Sequence, residues 1–240
     1  MDLKIAEAIL KSNAIIYEKM AKDWAASRIT PPEQLKELWN KYGKGNRLLD
    51  LGCGNGVAFS AVNKQITDYI GQDISQTMLA AADFYIKEHN TGTNPIRVKL
   101  LLGDVLNIPL ADASVDVVLC FGVLHHIPSS ELRQKAIKEI ARVLTPGGQL
   151  LMANWNVRCW HSVTRQKLWH LWLGRSLPSL DKNDSWIGEE KKNLYIHCFH
   201  KEEIKSLISK ADLKIISNDY VGHGSTFINA WHLITVAKKI

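Results

Sequence analysis

The stretch that most constrains this chain is Arg47-Leu48-Leu49-Asp50-Leu51-Gly52-Cys53-Gly54-Asn55-Gly56. Leu48, Leu49 and Leu51 read as a short buried strand. Three glycines follow at alternate positions, and Val57-Ala58-Phe59 opens a helix pattern that runs to about Lys64. Strand, glycine loop and helix make the first half of a nucleotide-binding βαβ unit. The glycines let the backbone turn sharply and approach a ligand where a Cβ would collide.

The spacing narrows the ligand. A dinucleotide site shows Gly-x-Gly-x-x-Gly and offers a pyrophosphate the positive end of the next helix. Here the pattern is Gly-x-Gly-x-Gly with Asp50 just before it. A carboxylate there repels a pyrophosphate and suits a cationic or zwitterionic ligand. S-adenosylmethionine (SAM) has an ammonium, a sulfonium and no phosphate, so the acid argues for SAM. A loop that merely turns the chain is the competing reading, and the later acids weigh against it.

Further strands follow at regular intervals. Asp68 to Ile74 reads as the second, and Ser75 caps a helix whose apolar face is Met78, Leu79, Ala82 and Ile86. Ile96 to Leu102 is the third strand. Val115 to Phe121 is the fourth, an apolar run typical of a strand covered on both faces. His125 and His126 lead into a helix from Ser129 to Leu144, with Leu132, Ala136, Ile140 and Val143 inward. Thr145-Pro146-Gly147-Gly148 stops it, and Gln149 to Trp155 is the fifth strand. After a helix at Lys201–Lys210, the runs Leu213–Val221 and Phe227–Lys238 are expected to pair antiparallel at one sheet edge.

The fold expected is α/β: a Rossmann-like doubly wound seven-stranded sheet with an antiparallel last strand and helices on both faces. Residues 1–46 read as an N-terminal helical appendage, with a first helix over 2–26 and a second carrying Leu35, Leu38, Trp39 and Tyr42 on one face. Residues 47–240 read as the cofactor domain. Within it, 156–192 breaks the rhythm as an insert after strand five, with Trp160, Trp169, Trp172 and Trp186 among seven basic and four acidic residues. Pro178 to Asp184 reads as a loop. Tryptophan faces with Arg and Lys suit stacking on single-stranded RNA, or equally a lid with its rings packed inward.

With 240 residues, 22% charged and 46% hydrophobic, the chain can bury a full core as an ordinary soluble protein. Charges interrupt the apolar residues of the first helix, so no signal peptide is expected, and no apolar run suits a membrane span. A cytoplasmic location is the default. Cys53, Cys120, Cys159 and Cys198 lie far apart, so no metal site or disulfide framework is expected. The net charge of +6 is a mild pointer to an anionic partner.

In an open parallel sheet the ligand crevice lies beyond the carboxyl ends of the strands. Candidate cofactor residues are therefore Asp50, Gly52, Cys53, Gly54 and Asn55 after strand one, Asp73 and Ile74 after strand two, Asp104 and Val105 after strand three, and Phe121 after strand four. An acid after strand two accepts from both ribose hydroxyls, and one after strand three from the adenine amino group.

The run from Leu49 to Gly56, the Gly71-Gln72-Asp73-Ile74-Ser75 corner, Gly103-Asp104 and Val123-Leu124-His125-His126-Ile127 resemble a class I SAM-dependent methyltransferase of the type 11-like group. The flanks extend the likeness. Tyr17-x-x-x-Ala21-x-x-Trp24-x-x-Ser27-Arg28, Trp155, and Tyr195-x-His197-x-Phe199-His200-Lys201-x-Glu203 resemble the tRNA wobble carboxymethyl-uridine methyltransferases. Gly222-His223-Gly224-Ser225-Thr226 with Asn229-Ala230-Trp231 departs from the Gly-Asn-Trp-type motif of that family.

The resemblance implies in-line methyl transfer to a wobble-uridine carboxylate, tRNA as partner, and a small zinc-binding activator subunit for some relatives. A carboxylate is ionised at neutral pH and needs no general base. Arg28 could pair with it in a fork, and Tyr17 is a further candidate at the substrate. One of His125 and His126 is expected to face the crevice, with His125 the candidate at the methyl site. A hydroxyl or amine nucleophile would give it a general-base role. The alternatives are a small-molecule O- or C-methyltransferase acting on a quinone, lipid precursor or carboxylic acid, and a non-catalytic SAM-binding subunit.

Overall fold

The computed structural model describes residues 1–62, 66–91, 93–155, 181, 183–187, 194–222 and 230–240. Seven strands form one sheet: β1 (Arg47–Leu51), β2 (Asp68–Asp73), β3 (Arg97–Leu102), β4 (Val115–Phe121), β5 (Leu144–Trp155), β8 (Leu213–Gly222) and β9 (Ala230–Lys239). Their spatial order is β3-β2-β1-β4-β5-β9-β8. β1 to β5 are mutually parallel, β9 runs antiparallel to β5, and β8 antiparallel to β9. A short hairpin of β6 (Asp184–Ile187) and β7 (Leu194–His197) lies apart from the sheet. The doubly wound sheet with its antiparallel last strand is therefore the one the sequence predicts.

Strand periodicity of two sorts side chains into two cores. Leu49, Leu51, Val118, Cys120, Leu150 and Met152 face helices α5 (Ser130–Val143) and α6 (Lys201–Ser209), where Ile137, Ile140 and Ile204 meet them. Leu48, Val117, Leu119 and Leu151 face α2 (Glu33–Tyr42), α3 (Phe59–Val62) and α4 (Gln76–His89), meeting Trp39, Phe59 and Ile86. Ser75 caps α4 by accepting from the Met78 N–H at 3.1 Å, and Ser129 caps α5 by accepting from Leu132 at 3.3 Å. The inward face of α4 is Met78, Leu79, Ala82 and Ile86, as its spacing predicts.

Helix α1 (Leu3–Ser27) buries Ala6, Ile9, Asn13 and Ala21 and packs on α4 and β7. A polar Asn within that apolar face is not anticipated by periodicity. Three boundaries differ from expectation. β5 starts at Leu144, not Gln149, because Leu144 already pairs with Val115 while a register shift absorbs the Thr145-Pro146-Gly147-Gly148 segment. Asp184 belongs to a strand rather than a loop, since it pairs with His197. The helix after the glycine loop begins at Phe59, after a turn closed by the Phe59 N–H on the Gly56 carbonyl. Most of the expected insert, including Trp160, Trp169 and Trp172, and the segment 223–229 lie outside the described residues.

Candidate active site

The carboxyl ends of β1 to β5 open onto a cavity of about 460 Å³, with α1 across it. The glycine loop forms one wall. Gly52 sits at φ +74°, and a Cβ there would lie 2.2 Å from Val123 Cγ2. Gly54 sits at φ +54° with nothing within 4 Å of its would-be Cβ. Its backbone thus faces open space, a cradle a ligand can enter closely. Gly52, Cys53, Gly54 and Asn55 all line the cavity, as do Asp73, Ile74, Asp104, Val105 and Phe121.

Each acid has its own setting. Asp73 accepts from the Gly54 N–H at Oδ2 (2.8 Å) and from the Ser75 N–H at Oδ1 (2.9 Å). Burial raises its pKa, and these backbone donors oppose the rise. Each oxygen keeps a lone pair for a ligand hydroxyl. Asp104 accepts from the Leu106 N–H at 2.9 Å and lines the cavity beyond β3. Asp50 differs from expectation, because it does not line the cavity. It is the penultimate residue of β1, so the strand alternation turns it to the Leu48 face, where it accepts from the Tyr69 hydroxyl at 2.5 Å. Burial pushes its pKa up to about 6. The repulsion of a pyrophosphate thus comes from Asp73 and Asp104 rather than from Asp50.

Cys53 and Cys120 are inert. Burial, with Asp50 and Asp73 nearby, pushes the Cys53 thiol well up, and burial takes Cys120 to about 12. Both are protonated, packing residues rather than nucleophiles.

The histidine pair also corrects the expectation. A 3₁₀ turn over Leu124–His126 aims neighbouring side chains about 120° apart. His125 is fully buried behind the cavity wall, where its Nδ1 accepts from the Trp155 N–H at 3.2 Å. Its ring stacks on Trp155 with centroids 5.0 Å apart. Burial, then the neighbouring His126, drives its pKa well down. His126 lines the cavity instead, with Nδ1 3.0 Å from the Tyr195 carbonyl and Nε2 2.5 Å from the Tyr17 hydroxyl. Burial lowers its pKa to about 4, so it is neutral at pH 7.

From α1 come Tyr17, Trp24 and Arg28. Tyr17 and Trp24 meet edge-on at 4.8 Å, and the Arg28 guanidinium lies 5.2 Å over the Trp24 ring. Among the described residues Arg28 is the one Lys or Arg side chain lining the cavity, and no carboxylate pairs with it.

A buried network escaped the sequence reading. His197 places Nδ1 2.6 Å from Asp184 Oδ1 and Nε2 2.9 Å from Glu203. Burial alone would lower its pKa, but the two carboxylates raise it. The Tyr195 hydroxyl donates to Asp184 Oδ1 at 2.6 Å, and Arg133 donates from Nη1 to the Ile127 carbonyl at 3.2 Å. The network ties the β6–β7 hairpin, and with it Tyr195, to α5 and α6. The only signal in the sequence is His197-x-Phe199-His200-Lys201-x-Glu203, whose partner Asp184 lies 13 residues upstream of His197.

Among the described residues no group of three or more His, Cys, Asp or Glu side chains could hold a metal ion. No helix among them is long and apolar enough to cross a membrane.

The family described as "Methyltransferase domain" matches residues 49–152. The mouse tRNA (carboxymethyluridine(34)-5-O)-methyltransferase ALKBH8 is 30% identical over 237 residues, covering 91% of this chain and 33% of that protein. The chain thus spans about a third of that relative's length. A SAM-dependent methyltransferase from Methanosarcina mazei has the same fold, with a TM-score of 0.69 and 19% identity over 88% of this chain and 99% of its own. A chain from the complex between the Haloferax volcanii Trm112 methyltransferase activator and its methyltransferase follows at TM-score 0.60 and 19% identity, over 92% and 96%. Residues 49–152 thus match the methyltransferase domain, and the glycine cradle and the acids beyond β2 and β3 stand on the fold of the SAM-dependent methyltransferases.

Proposed function

We propose that this chain methylates the carboxylate of a carboxymethyl group on a tRNA wobble uridine. The observation that carries the proposal is Arg28. A guanidinium with no carboxylate partner among the described residues, held over the Trp24 ring at the cavity wall, suits a planar carboxylate bound in a fork. The name of the mouse relative supports the same substrate.

SAM, when bound, supplies a methyl group on a sulfonium for in-line displacement. The chain's own work is positioning and exclusion of water. The glycine loop gives close backbone approach, Asp73 accepts from ribose hydroxyls, and Asp104 accepts from the adenine amino group. Arg28 orients the substrate carboxylate, and Trp155, held by His125, lines the substrate side. No proton has to leave a carboxylate nucleophile, which fits a site whose His126 is neutral with both ring nitrogens already hydrogen-bonded.

The proposal takes tRNA as partner, in the cytoplasm, and a small zinc-binding activator as a second partner. The Haloferax neighbour comes from an activator complex. β3 is a sheet edge, with Val98 and Leu102 exposed on it and Phe84 exposed on adjacent α4.

The test is transfer of tritiated methyl from SAM into bulk tRNA, with and without a co-expressed activator, followed by nucleoside analysis. Ribonuclease-sensitive label in an alkali-labile methyl ester of carboxymethyluridine is the expected result. Label that is stable to alkali, or that enters only small carboxylic acids, overturns it.

A further inference from the structure

Donor and acceptor accounting around His126 assigns a role to Tyr17. The Tyr195 carbonyl can only accept, so His126 Nδ1, 3.0 Å away, carries the ring proton. A neutral imidazole has one N–H, which leaves Nε2 bare. The group facing Nε2 at 2.5 Å is the Tyr17 hydroxyl, and it must donate. The single phenol proton is then spent on His126, and the Tyr17 oxygen has only lone pairs to present to the cavity it lines.

The tautomer is firmly held. Asn13, buried within α1, donates from Nδ2 to both the His126 and Tyr195 carbonyls at 3.3 Å and accepts from the Tyr195 N–H at 3.1 Å. The Tyr195 carbonyl therefore cannot swing away from His126 without also losing its bond from Asn13, which is anchored to the Tyr195 N–H and the His126 carbonyl as well. Trp24 lies between Tyr17 and Arg28, touching both. One helix thus offers the substrate two groups of opposite sense: Arg28 gives hydrogen bonds only, and the Tyr17 oxygen only receives them.

We propose that the Tyr17 phenol oxygen is a specificity-determining acceptor that takes the imide N–H of the substrate's pyrimidine ring while Arg28 engages its carboxylate. The proposal rests on the carboxymethyl-uridine reading above and adds what that reading lacks, a contact that reads the ring. An acceptor buried in a cavity discriminates strongly, because a substrate without the donor leaves it unpaired.

The test uses the full chain saturated with S-adenosylhomocysteine and two anticodon stem-loop RNAs. One carries 5-carboxymethyluridine at the wobble position, the other its N3-methylated form. The wild type is expected to bind the N3-methylated RNA about tenfold or more weakly. Tyr17→Phe, whose ring still packs on Trp24, is expected to bind the two alike, with its fold verified by circular dichroism. Equal binding of the two RNAs by the wild type, or an undiminished gap in Tyr17→Phe, overturns the Tyr17 assignment alone. Binding of neither RNA overturns the carboxymethyl-uridine reading and the assignment with it. Nitrogen-15 NMR gives a check without RNA: His126 is expected protonated at Nδ1 and bare at Nε2, and the reverse tautomer overturns the assignment.

Discussion

Asn55 of the glycine loop donates from Nδ2 to the Arg28 carbonyl at 2.7 Å and to the Ala25 carbonyl at 3.0 Å. The glycine loop therefore also fixes the end of the helix that carries Tyr17, Trp24 and Arg28 to the cavity. Binding on one side of the cavity is thereby tied to geometry on the other.

Asn55→Leu leaves both carbonyls without their donor in a largely buried place. The expected cost is about 1–3 kcal/mol in chemical denaturation. Hydrogen exchange over Trp24–Arg28 is expected to quicken at the same time. Unchanged exchange there would show that α1 holds its end without the loop.

The two acids near the loop separate by experiment. If Asp73 accepts from the two ribose hydroxyls, Asp73→Ala is expected to weaken S-adenosylhomocysteine roughly 100-fold in calorimetry. Asp50→Asn is expected to leave that affinity within about threefold, since Asp50 lies outside the cavity. Its effect falls on stability. A carboxyl raised to about 6 in the folded state stabilises below its ordinary range and loses that contribution as pH climbs through 6. Relative to wild type, Asp50→Asn should therefore gain stability between pH 4 and 6, by up to about 3 kcal/mol, and stay level above.

Those acids also show where the sequence was legible. The glycine spacing, the Ser75 cap and the inward face of α4 are local, set by backbone geometry and periodicity, and they stand in the structure as the sequence predicts. Asp73 and Asp104 reach the cavity because they stand at or beyond the last residue of their strands. Asp50 stands one residue short, and one step along a strand reverses the face. The same limit applies to His125 and His126, whose directions depend on a tight turn. Asn13 and the Asp184–His197–Glu203 cluster are joined only by tertiary contacts between remote segments, which no local pattern records.

The neutral histidines make the fold sensitive to acid. Burial lowers His126 to about 4 and holds His125 well below its ordinary value, so unfolded chains take up protons that folded ones refuse. Their contribution is complete above about pH 6.5 and is lost as pH falls toward 4. His126 alone accounts for about 2 kcal/mol by pH 5. Between pH 7 and 5 the two imidazoles pull the thermal unfolding temperature of the wild type down, against the opposite contributions of Asp50 and His197. His125→Phe, which keeps a ring against Trp155, should fall less steeply. Parallel curves would sink the assignment of buried neutral imidazoles.

Arg28 carries the functional proposal, so its substitution is the sharpest test of it. If the guanidinium holds the substrate carboxylate, Arg28→Ala loses a charge-assisted pair worth about 1.5–3 kcal/mol, or roughly 10- to 150-fold in kcat/KM for the tRNA. S-adenosylhomocysteine affinity should change far less, because the Arg28 backbone, not its side chain, meets the glycine loop. Arg28→Lys keeps the charge but loses the fork and the guanidinium's place over Trp24, so its recovery should be partial. The discriminating measurement pairs methyl transfer with cofactor titration on the same preparations. A loss of cofactor affinity equal to the loss of transfer would place Arg28 on the cofactor side and leave the carboxylate without a partner. Loss of transfer alone, graded from Arg through Lys to Ala, is what a carboxylate anchor requires.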